Sequence, residues 1–499
     1  MNIAGLDIGT TGCKCTVYDI QGNLITESYQ EYISEISEHS HVLDPNKVWE
    51  SVKYVLKETT KKASKINAIG VTTFGEAAVF LDENNDPIGK SMLYTDPKGD
   101  EECAAIVSEF GQDYLNNGTG LTPGKMYTIS KILWVNNHEP ERLQKCRRIC
   151  LFQDYIVFKL SGVFQIDYSL ASRTMAFDVK LLQWNETILK FAGVNETYFS
   201  KPVPMGTMAG EILKEVAEEL NIQDSPIIVS GCHDQLAAAI GTGVFRTGMA
   251  VDGTGTVECI TNIFEDCKDI NKELLYKGGY AIVPFLKDKL ATYAFSFTGG
   301  ALLKWYRDNL ANMEAEHIKE IGGNVYEHFN KQVDVTKPSG LLVLPYFAGA
   351  GTPFNDSNAK GAILGLTMNT TSSDIYRALM EGVTYEMRLN LEILSKAGIN
   401  INSIRATGGG ASSKIWLQMK ADILNKPVMS LGAAQSGTLG CVMLAGVACG
   451  FYASLEEAEK IFVKENEVYL PNEEMSKKYD QYYKEYKNIY QLISQLEIR

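Results

Sequence analysis

Two stretches of this chain carry the same device: Ile3 to Cys15, I-A-G-L-D-I-G-T-T-G-C-K-C, and Met249 to Val257, M-A-V-D-G-T-G-T-V. Each reads as a short apolar strand bearing an aspartate, a tight Gly/Thr turn and a second strand, Cys15 to Ile20 in the first and Val257 to Thr261 in the second. Glycine lets backbone N–H groups approach phosphate oxygens with no Cβ in the way, and threonine adds hydroxyl donors. An aspartate at the strand end can hold Mg²⁺ through water. A single copy is an ordinary hairpin turn. Here Asp7 and Asp252 lie 245 positions apart in 499 residues, so both halves open alike. The repetition predicts a duplicated fold that binds a nucleotide between its halves.

A chain of this length suits two domains of roughly 200 to 250 residues. The net charge of −14 excludes a general binder of nucleic acid or anionic membranes, whose phosphates call for a basic surface. Ten cysteines are scattered without a C-x-x-C pair, which predicts reduced thiols in a cytoplasmic protein, with Cys13 and Cys15 as two side chains of a buried strand. The N-terminus runs straight into a strand with no basic and apolar leader, so secretion is not indicated. Pro427 to Leu455 carries no charge but holds five glycines, which predicts a buried strand, a connection over Gly432 to Gly437 and a helix of small residues rather than a membrane span.

In chain order, Leu24 to Tyr32 reads as a third strand, and Asp44-Pro45 caps a helix with Val48, Val52, Val55 and Leu56 on one face. Ile66 to Thr73 is an apolar strand running into Phe74-Gly75-Glu76, and loops at the carboxyl ends of such strands are where α/β proteins place ligands. That makes Phe74, Gly75 and Glu76 a candidate substrate loop, an ordinary loop glutamate being the alternative. Leu121 to His138 reads as a loop entering a helix with Ile132, Trp134 and Val135 inside. Ser225 to Gln235 is a buried strand ending in Gly-Cys-His-Asp-Gln at a helix start. Asp234 is then a candidate reactive carboxylate that the helix dipole keeps ionised, or only a helix cap. His233 reads as a packing or hydrogen-bonding residue. Gly241 to Gly248 is glycine-rich and marks the domain boundary, giving domains 1–245 and 246–499. Arg405 to Ser413, with Gly408, Gly409 and Gly410 between a strand and a helix, leaves space for a flat ring or a phosphate. The final helix puts Tyr479, Tyr482, Tyr486 and Ile493 on a packing face.

With these residues in view the chain resembles the FGGY carbohydrate kinases, within the actin, Hsp70 and hexokinase group of folds. Met126 to His138, with Thr128, Lys131, Trp134 and Asn136, and Gly361 to Glu381 resemble the family's two signatures. The resemblance implies an α/β fold of two ribonuclease H-like domains with a nucleotide and sugar cleft between them, closing on its substrates. It implies ATP and Mg²⁺ as cofactors, a small sugar as substrate, and a homodimer. Asp234 takes the role of the catalytic base and Gln235 that of a substrate contact. Asp7 is the metal-associated carboxylate. Gly9, Thr10 and Thr11 form the first phosphate loop, with Lys14 where many members carry arginine. Gly253 and Thr254 match the second phosphate loop, Gly299 or Gly300 a glycine beside the nucleotide, and Gly409 and Gly410 the turn that receives adenosine. The N-terminal domain is then the sugar-binding one and the C-terminal domain the ATP-binding one.

The substrate loop departs from its relatives. Phe74-Gly75-Glu76 keeps the glutamate of glycerol kinases without their arginine, and Thr95-Asp96-Pro97-Lys98 is similar to a stretch of xylulose kinases without matching it. Gly75 is expected to leave room for a substrate longer than glycerol, with Glu76 and Asp96 accepting hydrogen bonds from hydroxyls. The expectation is a ketopentose such as xylulose; fuculose, ribulose, glycerol and erythritol are the alternatives. A non-catalytic nucleotide-binding protein of the actin type, or a degenerate kinase that only binds sugar, are the competing classes.

Overall fold

The computed structural model describes residues 1–63, 65–432 and 435–496. The chain forms two compact units, each built on a mixed sheet.

Unit 1 holds Met1–Phe245, Ala281–Ala291 and Gln435–Val463. Its sheet is built from β1 (Asn2–Ile8), β2 (Gly12–Asp19), β3 (Leu24–Glu31), β4 (Ala68–Thr73), β5 (Thr207–Glu211) and β6 (Ile227–His233), in the order β5-β6-β4-β1-β2-β3. β1, β2 and β3 form an antiparallel meander, whereas β4 runs parallel to both β1 and β6. Parallel strands must be buried on both faces, and β4 is buried at every position. Helix α1 (Pro45–Thr60) starts where its sequence calls for it. Asp44 accepts from the Asn46 N–H at 2.9 Å, Pro45 occupies the first turn, and Val48, Val52, Val55 and Leu56 enter the core.

The uncharged stretch explains why unit 1 includes residues from late in the chain. Its helix, Ser436–Ala448, lies against β1 and β4 at backbone distance: a Cβ on Gly5 would sit 2.1 Å from the Thr438 carbonyl oxygen, and one on Gly70 2.5 Å from that of Cys441. Only glycine on the strands permits that approach. The two contact units are therefore not the two continuous halves 1–245 and 246–499. Of the Gly432 to Gly437 connection, residues 433 and 434 lie outside the described residues, and the helix has begun by Ser436. Among the described residues no helix is long and apolar enough to cross a membrane.

Unit 2 holds Arg246–Tyr280 and the described residues of 292–434 and 464–499. It repeats the order of the first four strands, but its last two strands follow in chain order where those of unit 1 are exchanged. β7 (Met249–Thr254), β8 (Glu258–Glu265), β9 (Lys289–Ser296, entering this unit at Thr292), β10 (Ser403–Thr407), β11 (Val428–Leu431) and β12 (Glu465–Tyr469) lie as β12-β11-β10-β7-β8-β9. Again the strand after the phosphate turn is antiparallel and the next inner neighbours are parallel. The last helix, Glu473–Ile493, packs through Tyr479, Tyr483, Tyr486 and Ile489. Tyr482 and Ile493, expected in that stripe, only flank it, because the face follows steps of four and three from Tyr479.

Candidate functional site

In unit 1 the carboxyl ends of β1, β4 and β6 gather the chemistry. β6 slips register against β4 between Ser230 and His233, and the helix Asp234–Gly241 begins at once. The cap position falls to His233, so Asp234 is the first helical residue rather than the cap. Its Oδ1 accepts from the Gln235 N–H at 2.6 Å and lies 3.3 Å from His233 Nε2, and 30% of its side chain is exposed. Burial pushes its carboxyl up to about 8; the negative charge of Asp7 is the next cause, Glu76 adds to it, and the Gln235 N–H and Arg173 oppose. Desolvation and like charge thus act against the helix dipole that was expected to keep Asp234 ionised. His233 is held well below the usual histidine range by burial and by the charge of Arg173.

Asp7 sits on β1 opposite Lys14 of β2. Burial pushes its carboxyl up to about 6 against the pull of Lys14. The turn between them is closed by the Gly9 N–H donating to the Gly12 carbonyl at 2.9 Å, with Thr10 half-buried and Thr11 exposed at its tip. Lys14 pairs with Glu27 at 3.2 Å.

Of the substrate loop, Phe74 turns into the core, its ring centroid 5.0 Å from that of Phe152. Gly75 does not leave room for a longer substrate as expected. A Cβ there would meet Arg173 Cγ at 3.0 Å and His233 Cδ2 at 3.3 Å, so the chain's own side chains fill the space. Glu76 stands in the left-handed region at φ 66°, unusual for a residue with a Cβ, and is only 5% exposed. Its carbonyl accepts from Thr128 Oγ1 at 2.7 Å and its carboxylate from Arg173 Nε at 2.6 Å.

Arg173 thus supplies the arginine that the loop lacks, from the end of the helix Tyr168–Ser172. Sequence reading missed it, because nothing local links positions 76 and 173. Tyr94 was missed too; 42% of the residue is exposed, and its hydroxyl is pushed up by partial burial and by the charges of Glu76 and Asp234. Asp96, by contrast, is fully buried and its carboxylate is committed: it accepts from the His41 N–H at 2.8 Å, the Lys98 N–H at 3.0 Å and Ser40 Oγ at 3.4 Å. It shapes the loop instead of presenting a carboxylate to a sugar.

The first signature-like stretch braces both loops. Besides the Thr128 bond to Glu76, buried Lys131 donates to the Asp96 carbonyl at 2.8 Å and to that of Lys98. Trp134, expected in the core, is half-buried and lines a cavity of about 700 Å³ with Lys98, His138 and Arg142. Ile132 and Val135 take the inner face of that helix, Thr128–His138, and turn the ring outward onto His138 at a centroid distance of 4.8 Å.

In unit 2 the second turn is closed by the Gly255 N–H to the Val257 carbonyl at 2.9 Å. Gly299 and Gly300 lie directly on it, donating to the carbonyls of Thr256 at 2.9 Å and Gly255 at 2.7 Å; a Cβ on either would stand 2.8 Å from turn backbone. Gly410 is pressed against Thr254 in the same way, its Cβ position 2.5 Å from Thr254 Cγ2, while Gly409 faces open space. Gly253, Thr254, Gly299, Gly300 and the Gly408–Gly410 turn therefore form one assembly. A cavity of about 480 Å³ opens beside it, lined in part by Gly408, Ala411, Ser412, Leu431 and Tyr469. The Thr254 hydroxyl, expected to donate to phosphate, donates to Asp252 Oδ1 at 3.3 Å and accepts from Lys420 Nζ at 2.6 Å.

The sequence matches the profile of the FGGY family of carbohydrate kinases in two parts, the N-terminal domain over residues 2–241 and the C-terminal domain over 265–449. A xylulose kinase of Staphylococcus epidermidis is 28% identical over 99% of this chain and 97% of its own length. A glycerol kinase of Saccharolobus islandicus is 29% identical over 94% and 92%. The crystal structure of gluconate kinase from Lactobacillus acidophilus superposes with a TM-score of 0.89 at 24% identity, covering 99% of this chain and 98% of that one, which shows the same fold. The protein is a phosphotransferase whose acceptor is an alcohol group. It belongs to the FGGY family of carbohydrate kinases.

Proposed function

We propose that this carbohydrate kinase transfers the γ-phosphoryl group of ATP to a hydroxyl of a ketopentose, xylulose, with Asp234 as the base that takes the hydroxyl proton. The observation that carries this reading is Asp234 and Glu76 just beyond the carboxyl ends of β6 and β4, with Arg173 paired to Glu76. A base works best when its pKa lies near the working pH, and a carboxyl pushed up to about 8 meets that condition. Residues 1–245 supply the sugar contacts and the base, and residues 246–499 supply the ATP site.

The pocket's charge separates the sugars named in the relatives. Arg173 is already paired with Glu76, so the cation of the cluster is spoken for, which favours a neutral polyhydroxylated substrate over a sugar acid. Among neutral substrates, the named xylulose kinase at 28% identity over nearly the whole chain supports the ketopentose.

Mg²⁺ suits the residues present. Asp7 is a single carboxylate at a strand end beside a phosphate turn, and among the described residues no cluster of three His, Cys, Asp or Glu forms a protein cage. That is the donor set of an ion held by one carboxylate, water and substrate phosphates. When bound, such an ion neutralises charge on the transferring phosphoryl group.

The test is ADP release with Mg-ATP against xylulose, ribulose, fuculose, gluconate, glycerol and erythritol, with Asp234→Asn as the blank. The expected result is turnover with xylulose that falls by roughly 10² or more in the blank. Turnover of gluconate in preference to every neutral sugar would overturn the substrate assignment. Near-normal kcat in Asp234→Asn would overturn the base, and ATP turnover that needs no sugar would favour an actin-like nucleotide-binding role.

A further inference from the structure

The two phosphate hairpins look alike in sequence, yet their aspartates live in different surroundings. Asp7 lies opposite Lys14 across the strand pair, and that lysine is about a third exposed. Asp252 is fully buried and meets a buried cation from elsewhere in the fold.

We infer that Lys420 is the positioning residue of the second phosphate turn: it anchors the turn from within and cancels the charge of Asp252, so that the turn can receive the polyphosphate. This rests on the reading of that turn as the nucleotide site. Lys420 lies on the helix Lys414–Leu424, which follows the Gly408–Gly410 turn. Its Nζ donates to Asp252 Oδ2, to Thr254 Oγ1 at 2.6 Å and to Glu258 Oε1 at 3.1 Å. An ammonium has three N–H donors, and all three are spent on one hairpin. Two acceptors precede the turn on β7, and the third is the first residue after it on β8. The lysine side chain is 2% exposed and both carboxylates are at 0%.

The cluster works by geometry and by charge. Lys420 pins Thr254 from one side while Gly408 and Gly410 close on the same residue from the other, their Cβ positions 2.6 Å from the Thr254 carbonyl oxygen and 2.5 Å from its Cγ2. The turn is thereby fixed between two elements, which leaves its exposed backbone to the ligand. An unpaired Asp252 beneath the turn would repel phosphate oxygens in a low-dielectric setting. Paired with Lys420, it does not. Burial and the charge of Asp252 push the Glu258 carboxyl up, against the pull of Lys420, which limits the negative charge beneath the turn. Asp252 is thus an internal counter-ion, and Asp7 alone of the two hairpin aspartates is left for a metal.

The experiment compares wild type with Lys420→Met/Asp252→Asn, which removes both charges of the pair together, and with Lys420→Arg, which keeps the cation. Lys420→Met alone would strand a buried carboxylate and endanger folding. The readouts are the Kd for Mg-ADP by calorimetry, KM for ATP and for the sugar, and Tm. The inference expects the double variant to remain folded with its ADP Kd and ATP KM raised at least tenfold, the sugar KM within twofold, and Lys420→Arg lying between it and wild type. An ADP Kd within twofold of wild type in the folded double variant would overturn the inference alone. A parallel loss of sugar and ADP binding, or an unfolded double variant, would reduce Lys420 to a general structural role and overturn it as well. Failure of wild type itself to bind ADP would remove the nucleotide reading and this inference with it.

Discussion

Arg173 Nε donates to Glu76 Oε1 at 2.6 Å across 97 positions of sequence, and both side chains are at most 9% exposed. The pair links the loop after β4 to the end of a short helix, beside the His233-Asp234 step. It also crowds Gly75, since a Cβ there would stand 3.0 Å from Arg173 Cγ and the arginine stem would have to give.

Removing one partner of this pair should cost more than removing both. Arg173→Met leaves a buried carboxylate uncompensated, and the expected loss is about 3–5 kcal/mol in urea unfolding. Arg173→Met/Glu76→Gln should recover most of that stability while keeping a raised KM for the sugar. Equal losses in the single and double variants would show that the two side chains do not act as a pair.

Asp234 should dominate the pH dependence of kcat/KM. Its carboxyl titrates at about 8 in the free enzyme and must be ionised to accept a proton. Activity should therefore rise with pH up to about 8 and level off above it, falling about tenfold per unit on the acid side. Initial rates at low sugar concentration from pH 5.5 to 9.5 check this. A flat profile down to pH 6 would remove Asp234 as the titrating base.

The same carboxyl makes a prediction about stability. Its folded value is raised above the ordinary 3.8, so its contribution is fully present below 3.8 and is lost as pH rises through about 8. Asp234→Asn has no such loss. The variant should match wild type in Tm near pH 4, exceed it increasingly from pH 5 to 8, and hold a constant advantage at pH 9. A Tm difference independent of pH would contradict the partly desolvated, charge-opposed setting of this residue.

Gly75→Ala tests the crowding of the loop. Its Cβ would stand 3.0 Å from Arg173 Cγ and 3.3 Å from Arg173 Cβ, closer than ordinary contact. Overpacking of this kind costs about 1–3 kcal/mol, and here the yielding group belongs to the site. The expected outcome is a tenfold or greater fall in kcat/KM for the sugar with a modest drop in Tm. Unchanged kinetics would show that Arg173 can shift without consequence.

Much of this protein was legible in its residues because the signals are local. The two Gly/Thr turns, the Asp44-Pro45 helix start and the strand ending at Asp234 each depend on neighbours a few positions away, and each forms where the pattern puts it. The uncharged Pro427 to Leu455 stretch also resolved into a strand and a helix of small residues, since glycines at close spacing serve tight packing.

Tertiary structure decided what each side chain faces. Asp7 and Asp252 are equivalent in sequence, and only the fold brings Lys420 to the second across 168 positions. Glu76 looked like a glutamate without its arginine until the chain returned with Arg173. Asp96 looked like a sugar ligand, and Trp134 like core, until their neighbours were in place. Backbone conformation follows from local sterics and hydrogen bonding, which nearby residues encode. Charge state, burial and partner choice follow from what is packed against a group, and the sequence alone specifies that only through the whole fold.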